Sequence, residues 1–232
     1  MSQFPPLQIL VSDCPACGAS IFVKYGNDET KVRCLRCRAT PISLSLIQAI
    51  TNCVGQVRGI SVYEASSRGP VLNFLQKNGA KVTVSEYFPD VALGQYKKGV
   101  QCQDIQALTF DHESFDLSTS TEVFEHVGDD RKAFREMLRI LRPGGTLAFT
   151  VPITGLSRTV ERARLENGET VHLLPPTYHG DRLTGTQSVL VFRDYGLDIV
   201  ERILDAGFSS VKLTNGEQRW FGFSRRVVVA QK

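Results

Sequence analysis

Two groups of residues in this 232-residue chain are spaced for chemistry. The first is Cys14-Pro15-Ala16-Cys17 with Cys34-Leu35-Arg36-Cys37, two Cys-x-x-Cys pairs separated by sixteen residues. Four thiolates at that spacing suit a tetrahedral zinc ion, which needs two tight knuckles brought together by an intervening hairpin. The spacer reads as that hairpin: residues 20–25, a Gly26-Asn27-Asp28 turn, then residues 29–33. Two disulfides or a redox pair are the competing readings, and the first ten residues lack the charged start and apolar core of the secretory signal that would favour disulfides. The second group is a series of acids and histidines that follow apolar runs: Glu64, Glu86, Asp104, Glu122, Glu125, His126, and later His172 and His179. Carboxylates at strand ends accept hydrogen bonds from ligand hydroxyls, and histidine exchanges protons near neutrality.

The runs that must position them read as alternating strands and helices. A strand ends at Glu64 and enters the turn Ala65-Ser66-Ser67-Arg68-Gly69-Pro70, after which residues 73–77 lie in a helix. A second strand, 81–86, ends in Glu86, and a short third one, 100–102, precedes Asp104-Ile105. A fourth, 115–120, leads into Thr121 and Glu122; a helix capped by Asp129 or Asp130 then runs to Arg139. Pro143-Gly144-Gly145 should end that helix and turn the chain into the strand 146–151. In an open α/β sheet, ligands bind beyond the carboxyl ends of the strands, where the strand order reverses. Small residues in the first turn let backbone N–H groups approach a ligand, and Pro70 suits the first position of a helix. Arg68 does not adopt positive φ cheaply, so this turn is expected to close by another route. Glu86, about twenty residues after the turn, is spaced to accept both hydroxyls of a ribose.

In this order the motifs resemble those of class I S-adenosylmethionine-dependent methyltransferases, over most of residues 55–232. The chain departs from that family in its first turn: Ser66 and Arg68 stand where glycines are usual, and Pro70 replaces a third. The resemblance implies an α/β fold, a doubly wound, seven-stranded, mostly parallel Rossmann-like sheet, here behind a small N-terminal zinc ribbon. It implies S-adenosylmethionine as cofactor, bound by Glu64, Ala65, Ser66, Arg68, Gly69, Glu86, Tyr87, Asp104, Ile105 and Thr121. In that scheme Glu64 lies near the methionine portion, Asp104 accepts from the adenine amino group, and Tyr87 and Ile105 pack on the ring. An anionic rim suits a sulfonium cation and would repel nicotinamide or triphosphate cofactors. Glu122, Glu125 and His126 also match the Glu-x-x-Glu-His stretch of ubiquinone-biosynthesis O-methyltransferases, where these groups are associated with a divalent metal; here that would be Mg2+. The alternative, given the edge, is that Glu125-His126 merely holds its loop by hydrogen bonds. The catalytic base is expected to be His126 or His179.

The expected organisation is a zinc ribbon over 1–40, a linker helix over 41–54, and a methyltransferase domain over 55–232 with a lid inserted at about 152–188. The insertion carries His172, Tyr178, His179 and Asp181, and a long polar excursion after a central strand usually serves a substrate. Residues 193–196 should start an amphipathic helix with Ile199, Val200, Ile203 and Leu204 inward, and strands near 209–214 and 226–230 should form an antiparallel hairpin. Cys53 and Cys102 read as small buried residues. Hydrophobic content of 42% and charged content of 22% are ordinary for a globular protein, and a net charge of +3 does not by itself imply nucleic acid. No apolar run reaches membrane-spanning length, and the cytoplasm is the expected compartment. The expected reaction moves a methyl group from S-adenosylmethionine to a hydroxyl of a small molecule or glycan. Two alternatives stand beside it. One is an RNA or protein methyltransferase docking through the ribbon's Lys24, Lys31, Arg33, Arg36 and Arg38, with nucleic acid as a partner not favoured. The other is a cofactor-less binding protein. The ribbon itself reads as a metal-stapled cap over the cleft, since some forty residues need metal in place of a core.

Overall fold

The computed structural model describes residues 7–180 and 189–232. Its first unit is an antiparallel ribbon of β1 (Gln8–Cys14), β2 (Gly18–Lys24) and β3 (Val32–Cys34). The return stretch 29–33 is only partly a strand. Glu29–Lys31 form a 3-10 turn, capped by Asp28, whose carboxylate accepts the Thr30 N–H at 2.8 Å. The ribbon's small core of Phe22, Val32 and Ala39 is completed by residues from outside it, Leu44 and Trp220, both fully buried.

Leu44 belongs to α1 (Pro41–Val54), which begins with Pro41 in its first turn and Thr40 capping the Ser43 N–H. Nearly every residue from Pro41 to Ile50 is buried. Leu44 faces the ribbon core, whereas Leu46, Ile47 and Ile50 pack on the large sheet beside Val62, Leu117 and Ala148. The helix is thus a wedge common to both units.

The sheet follows in chain order: β4 (Ser61–Glu64), α2 (Pro70–Lys77), β5 (Lys81–Glu86), β6 (Tyr96–Lys97), β7 (Val100–Cys102), β8 (Phe115–Thr121), α3 (Asp130–Ile140) and β9 (Leu141–Thr150). After an insertion containing β10 (Val160–Glu161), β11 (Ala163–Glu166), β12 (Glu169–His172), β13 (Tyr178–His179), β14 (Val189–Leu190) and β15 (Arg193–Asp194) come α4 (Ile199–Leu204), β16 (Ser210–Asn215) and β17 (Arg226–Gln231). Strand order is β16-β17-β9-β8-β4-β5-β7-β6, parallel from β9 through β7 and antiparallel at both edges. The sheet therefore has eight strands rather than seven, the extra one being the two-residue β6. Helices α1 and α2 cover one face, and α3 with α4 the other, over Phe124, Phe134, Phe149 and Tyr195. The chain runs outward from β4 to β5 and β7, then returns to β8 on the other side, so the order reverses between β4 and β8.

Three local expectations are corrected. Pro143-Gly144-Gly145 does not terminate α3, which ends at Ile140; these residues form an irregularity inside β9, where Phe115 pairs with Leu141 but Leu117 with Thr146. Gly145 is required there, because a Cβ would lie 2.8 Å from the Arg142 carbonyl oxygen. Helix α4 has only six residues, with Ile199 and Ile203 buried but Leu204 exposed, and Arg193-Asp194 is a strand paired with β10. Cys53 is exposed, whereas Cys102 is buried. The insertion is not a bare loop: β11 pairs with β12, and β13 with β14, and Asp181 lies outside the described residues.

The ribbon core depends on an indole donated by the distant β16–β17 connection. Trp220→Ala should therefore cost about 3–5 kcal/mol of stability in urea unfolding. A loss below about 1 kcal/mol would show that the ribbon stands without it.

Candidate active site

The carboxyl ends of the parallel strands place Asp104, Glu86, Glu64 and Thr121 in a row across β7, β5, β4 and β8, neighbouring strands lying about 4.8 Å apart. Glu64, the last residue of β4, is 2% exposed and accepts a short hydrogen bond from the Thr119 hydroxyl. Burial pushes its carboxyl up from 4.5 to about 8, with the nearby Glu86 adding to the rise and the Thr119 bond opposing it. Glu86 holds the turn: Oε1 accepts from the Ser67 N–H at 2.7 Å and the Ser67 hydroxyl at 2.8 Å. The turn closes without strain at Arg68. Its positive φ, 124°, falls on Gly69, and Pro70 then opens α2. The Arg68 side chain is exposed.

Other residues expected at a cofactor site are placed less simply. The Asp104 carboxylate is occupied by Gln106, accepting from its N–H at 2.8 Å and from its side-chain amide at 3.0 Å. Ile105 is buried in the core under α3, so it does not offer an open face. Tyr87 is 59% exposed at the rim.

Past β8 the chain makes a 3-10 turn, Phe124–His126, entered through Glu122 at φ 55°. A left-handed non-glycine residue costs about 1–2 kcal/mol and persists only where its surroundings fix it. Two arginines do so. Arg193, 3% exposed, donates to the carbonyls of Val127 (2.7 Å), Gly128 (2.8 Å) and Phe124 (3.1 Å), while its Nε donates to Glu161 at 3.1 Å. Arg225 donates through Nη2 to Glu122 Oε2 at 2.6 Å. These two residues were missed by reading the sequence, because each acts on chain distant in sequence, Val127 lying 66 positions from Arg193 and Glu122 103 positions from Arg225. The flanking of Arg193 by Phe192 and Tyr195 is the only local sign that it would be buried.

Between these arginines lie Glu125, His126 and His179. The His126 ring donates from Nδ1 to the Leu190 carbonyl at 2.9 Å, tying the turn to the insertion as the loop-holding reading expects. His126 Nε2 then sits 3.7 Å from Glu125 Oε1, and His179 Nδ1 lies 3.8 Å from the same oxygen. The imidazole rings meet edge-on with centroids 5.0 Å apart. Glu125 is 1% exposed, and neither carboxyl oxygen has a hydrogen-bond partner among the described residues. Burial, reinforced by Glu122, pushes its carboxyl well above the usual range. Burial and the Arg225 charge push His179 below the ordinary imidazole value, favouring its neutral form. His172, by contrast, is exposed on β12 and takes no part in this cluster.

The set Glu122, Glu125 and His126 expected to hold Mg2+ does not form. Glu122 is engaged by Arg225, and the third donor beside Glu125 and His126 is His179. Two imidazoles and one carboxylate are a poor match for Mg2+, which favours oxygen ligands.

The four cysteines do converge. Their sulfurs all lie within 4.8 Å of one another, Cys14 to Cys37 at 3.6 Å and Cys17 to Cys34 at 3.7 Å. A tetrahedral ion about 2.3 Å from each sulfur would set them about 3.8 Å apart. None is in a disulfide. Without a cation the thiols compete for protons: the hydrogen bond from Cys14 holds Cys37 low, and the same bond, with burial, pushes Cys14 up. The donor set fits zinc.

Residues 65–149 match a family model described as a methyltransferase domain. A ubiquinone biosynthesis O-methyltransferase of Coxiella burnetii is 36% identical over 120 residues, 47% of this chain and 49% of that protein. A malonyl-[acyl-carrier protein] O-methyltransferase of Salmonella typhimurium is 44% identical over 52 residues, 22% of this chain and 21% of that protein. The chain spans about half or less of the length of these curated relatives. Among solved structures, an S-adenosylmethionine-dependent methyltransferase from Mesorhizobium loti aligns at TM-score 0.53 and 16% identity, covering 81% of this chain and 98% of that one. The Burkholderia thailandensis 1,6-didemethyltoxoflavin-N1-methyltransferase, with S-adenosylhomocysteine bound, aligns at 0.52 and 15% identity, covering 83% and 78%. At those identities the structures speak to fold alone.

Glu64 has a testable linkage. Its folded-state value lies above the unfolded one, so the stability contributed by the protonated acid is complete below about pH 4.5 and lost as pH rises through about 8. Urea unfolding from pH 4 to 9 should show wild type falling by a few kcal/mol relative to Glu64→Gln over that window. Parallel curves would mean that Glu64 ionises without cost.

Proposed function

We propose that this chain is a class I S-adenosylmethionine-dependent methyltransferase and that it transfers a methyl group to a hydroxyl of a small molecule or glycan; the methyltransferase-domain match and the fold support this. The cofactor supplies a methyl carbon on positively charged sulfur. The observation that carries the reading is the juxtaposition at the reversal of strand order: buried Glu64 and turn-holding Glu86 on one side, the Glu125–His126–His179 cluster on the other. Glu64 and Glu86 give the cofactor side its negative character, Glu86 offering Oε2 toward ribose while Oε1 holds the turn. On the acceptor side, neutral His179 is the base. Its ring is 43% exposed and so reaches an incoming hydroxyl, and its Nδ1 lies 3.8 Å from Glu125 Oε1. His126 is committed to the Leu190 carbonyl and keeps the turn in place. Oxygen rather than nitrogen as acceptor is supported by the relatives named for O-methylation. Cys14, Cys17, Cys34 and Cys37 would hold zinc, which staples the ribbon.

A second reading, a methyltransferase docking RNA, has one observation in its favour. A groove of about 410 Å3 between the Cys knuckles and α2 is lined by Arg36, Arg38 and Lys77. Retention on RNA that falls steeply with salt would favour it.

Binding of a sulfonium beside Glu64 should ionise that acid, so affinity for S-adenosylmethionine relative to S-adenosylhomocysteine should rise by up to about tenfold per pH unit toward pH 8. Calorimetry on wild type and Glu64→Gln checks this; a pH-independent ratio in wild type contradicts it. With a panel of a catechol acid, malonyl-coenzyme A and a glycan, His179→Ala should lower turnover at saturating cofactor by about 10²-fold or more. Undiminished turnover in His179→Ala would end the assignment of His179 as base, and undiminished turnover in His126→Ala as well would exclude a histidine base altogether.

A further inference from the structure

We propose that Glu29 of the zinc ribbon is a positioning residue for the acceptor side of the cleft, acting through Arg225; this rests on the methyltransferase reading above. Arg225 immediately precedes β17 and bridges two carboxylates from different parts of the chain. Nη1 lies 3.1 Å from Glu29 Oε1 on the ribbon, and Nη2 lies 2.6 Å from Glu122 Oε2 at the end of β8. All three side chains are about one-fifth exposed, so water screens the triad only weakly. The guanidinium fork is suited to two carboxylates at once, whereas a lysine would satisfy one.

Each end of the bridge is fixed by its own element. Glu29 opens the 3-10 turn that Asp28 caps, and Arg225 is anchored through its backbone N–H, which donates to the Ser45 hydroxyl on α1 at 2.9 Å. The same connection carries Trp220 into the ribbon core and Gln218 onto β1, whose Ser12 hydroxyl and Asp13 carbonyl both accept from it at 2.7 Å. Ribbon and cleft thus share one ordered segment. The consequence falls on Glu122, whose left-handed backbone introduces the turn bearing Glu125 and His126. The Arg225 charge also acts on Glu125 and His179. With Glu29 neutralised, Arg225 loses one of the two anchors that orient it. The ribbon is then part of the acceptor wall, not a detachable docking module.

The test uses the full-length zinc-loaded chain and needs no acceptor. In urea unfolding, Glu29→Gln and Glu122→Gln should be non-additive by at least about threefold in equilibrium constant, and the non-additivity should vanish in an Arg225→Met background. Arg225→Lys, which keeps the charge but not the fork, should also lose it. In nuclear magnetic resonance spectra, Glu29→Gln should broaden the Arg225 Nε–H signal and shift the ring signals of His179, which a purely local role in the ribbon would leave unmoved. Additive effects, or unchanged Arg225 and His179 signals, overturn the proposal. Titration with S-adenosylhomocysteine separates the two readings. Glu29→Gln should bind it within about twofold of wild type, because among the described residues Glu64 is bonded to Thr119 and Glu86 to Ser67, apart from the triad. Failure of wild type to bind it would overturn the methyltransferase reading while the cycle still decides the bridge.

Discussion

The structure depends on the cost of keeping carboxylates at one dry end of a sheet. Glu64 and Glu125 are almost wholly buried and Glu122 about one-fifth exposed, all at or just beyond the carboxyl ends of β4 and β8. An unpaired ion there would cost several kcal/mol, so such acids either stay protonated or acquire a cation. Glu122 has acquired Arg225, which opposes the upward push of burial without cancelling it, and Glu64 and Glu125 are pushed toward the neutral form. A sheet end arranged in this way gains most from a ligand that brings its own positive charge, as the sulfonium cofactor proposed above would.

The arginines are the other side of that constraint. Arg193 satisfies three carbonyls of the 124–128 turn and joins Asp130, Glu161, Arg202 and Tyr195 in a network, with Tyr195 Oη donating to Asp130 at 3.0 Å. The network fastens the insertion, α3 and α4 to the turn that carries Glu125 and His126. Among the described residues, the insertion is thereby tied to that turn through Glu161, Leu190 and Arg193. The pairing of β10 with β15 and the bond from His126 to Leu190 agree with that.

Much of this was legible because the information was local. Strands ending in Glu64 and Glu86, the Gly69-Pro70 helix start and the Asp129 cap each follow from residues within a few positions. The two cysteine pairs are similarly local, and their sulfurs converge. Readings failed where a distant partner decided the outcome. Pro143-Gly144-Gly145 has the composition of a helix stop, yet pairing with β8 draws Leu141 into the sheet, and the residues become a bulge. Leu204 fits a helical stripe, but α4 is too short to bury it. Glu122 belongs to a motif that suggests metal, and only an arginine 103 positions away shows that its charge is already taken.

That last case bears on how motif and site relate. A Glu-x-x-Glu-His stretch specifies side chains, not what neutralises them. Here the guanidinium at 225 neutralises the first glutamate, and His179 enters from β13 to replace it beside Glu125 and His126. Both newcomers are supplied by segments outside residues 65–149, the part matched by the methyltransferase model. On the reading proposed above, the cofactor end is built by the strands within 65–149, and the acceptor end by the insertion, the β16–β17 connection and the ribbon, parts that can differ between chains of one fold.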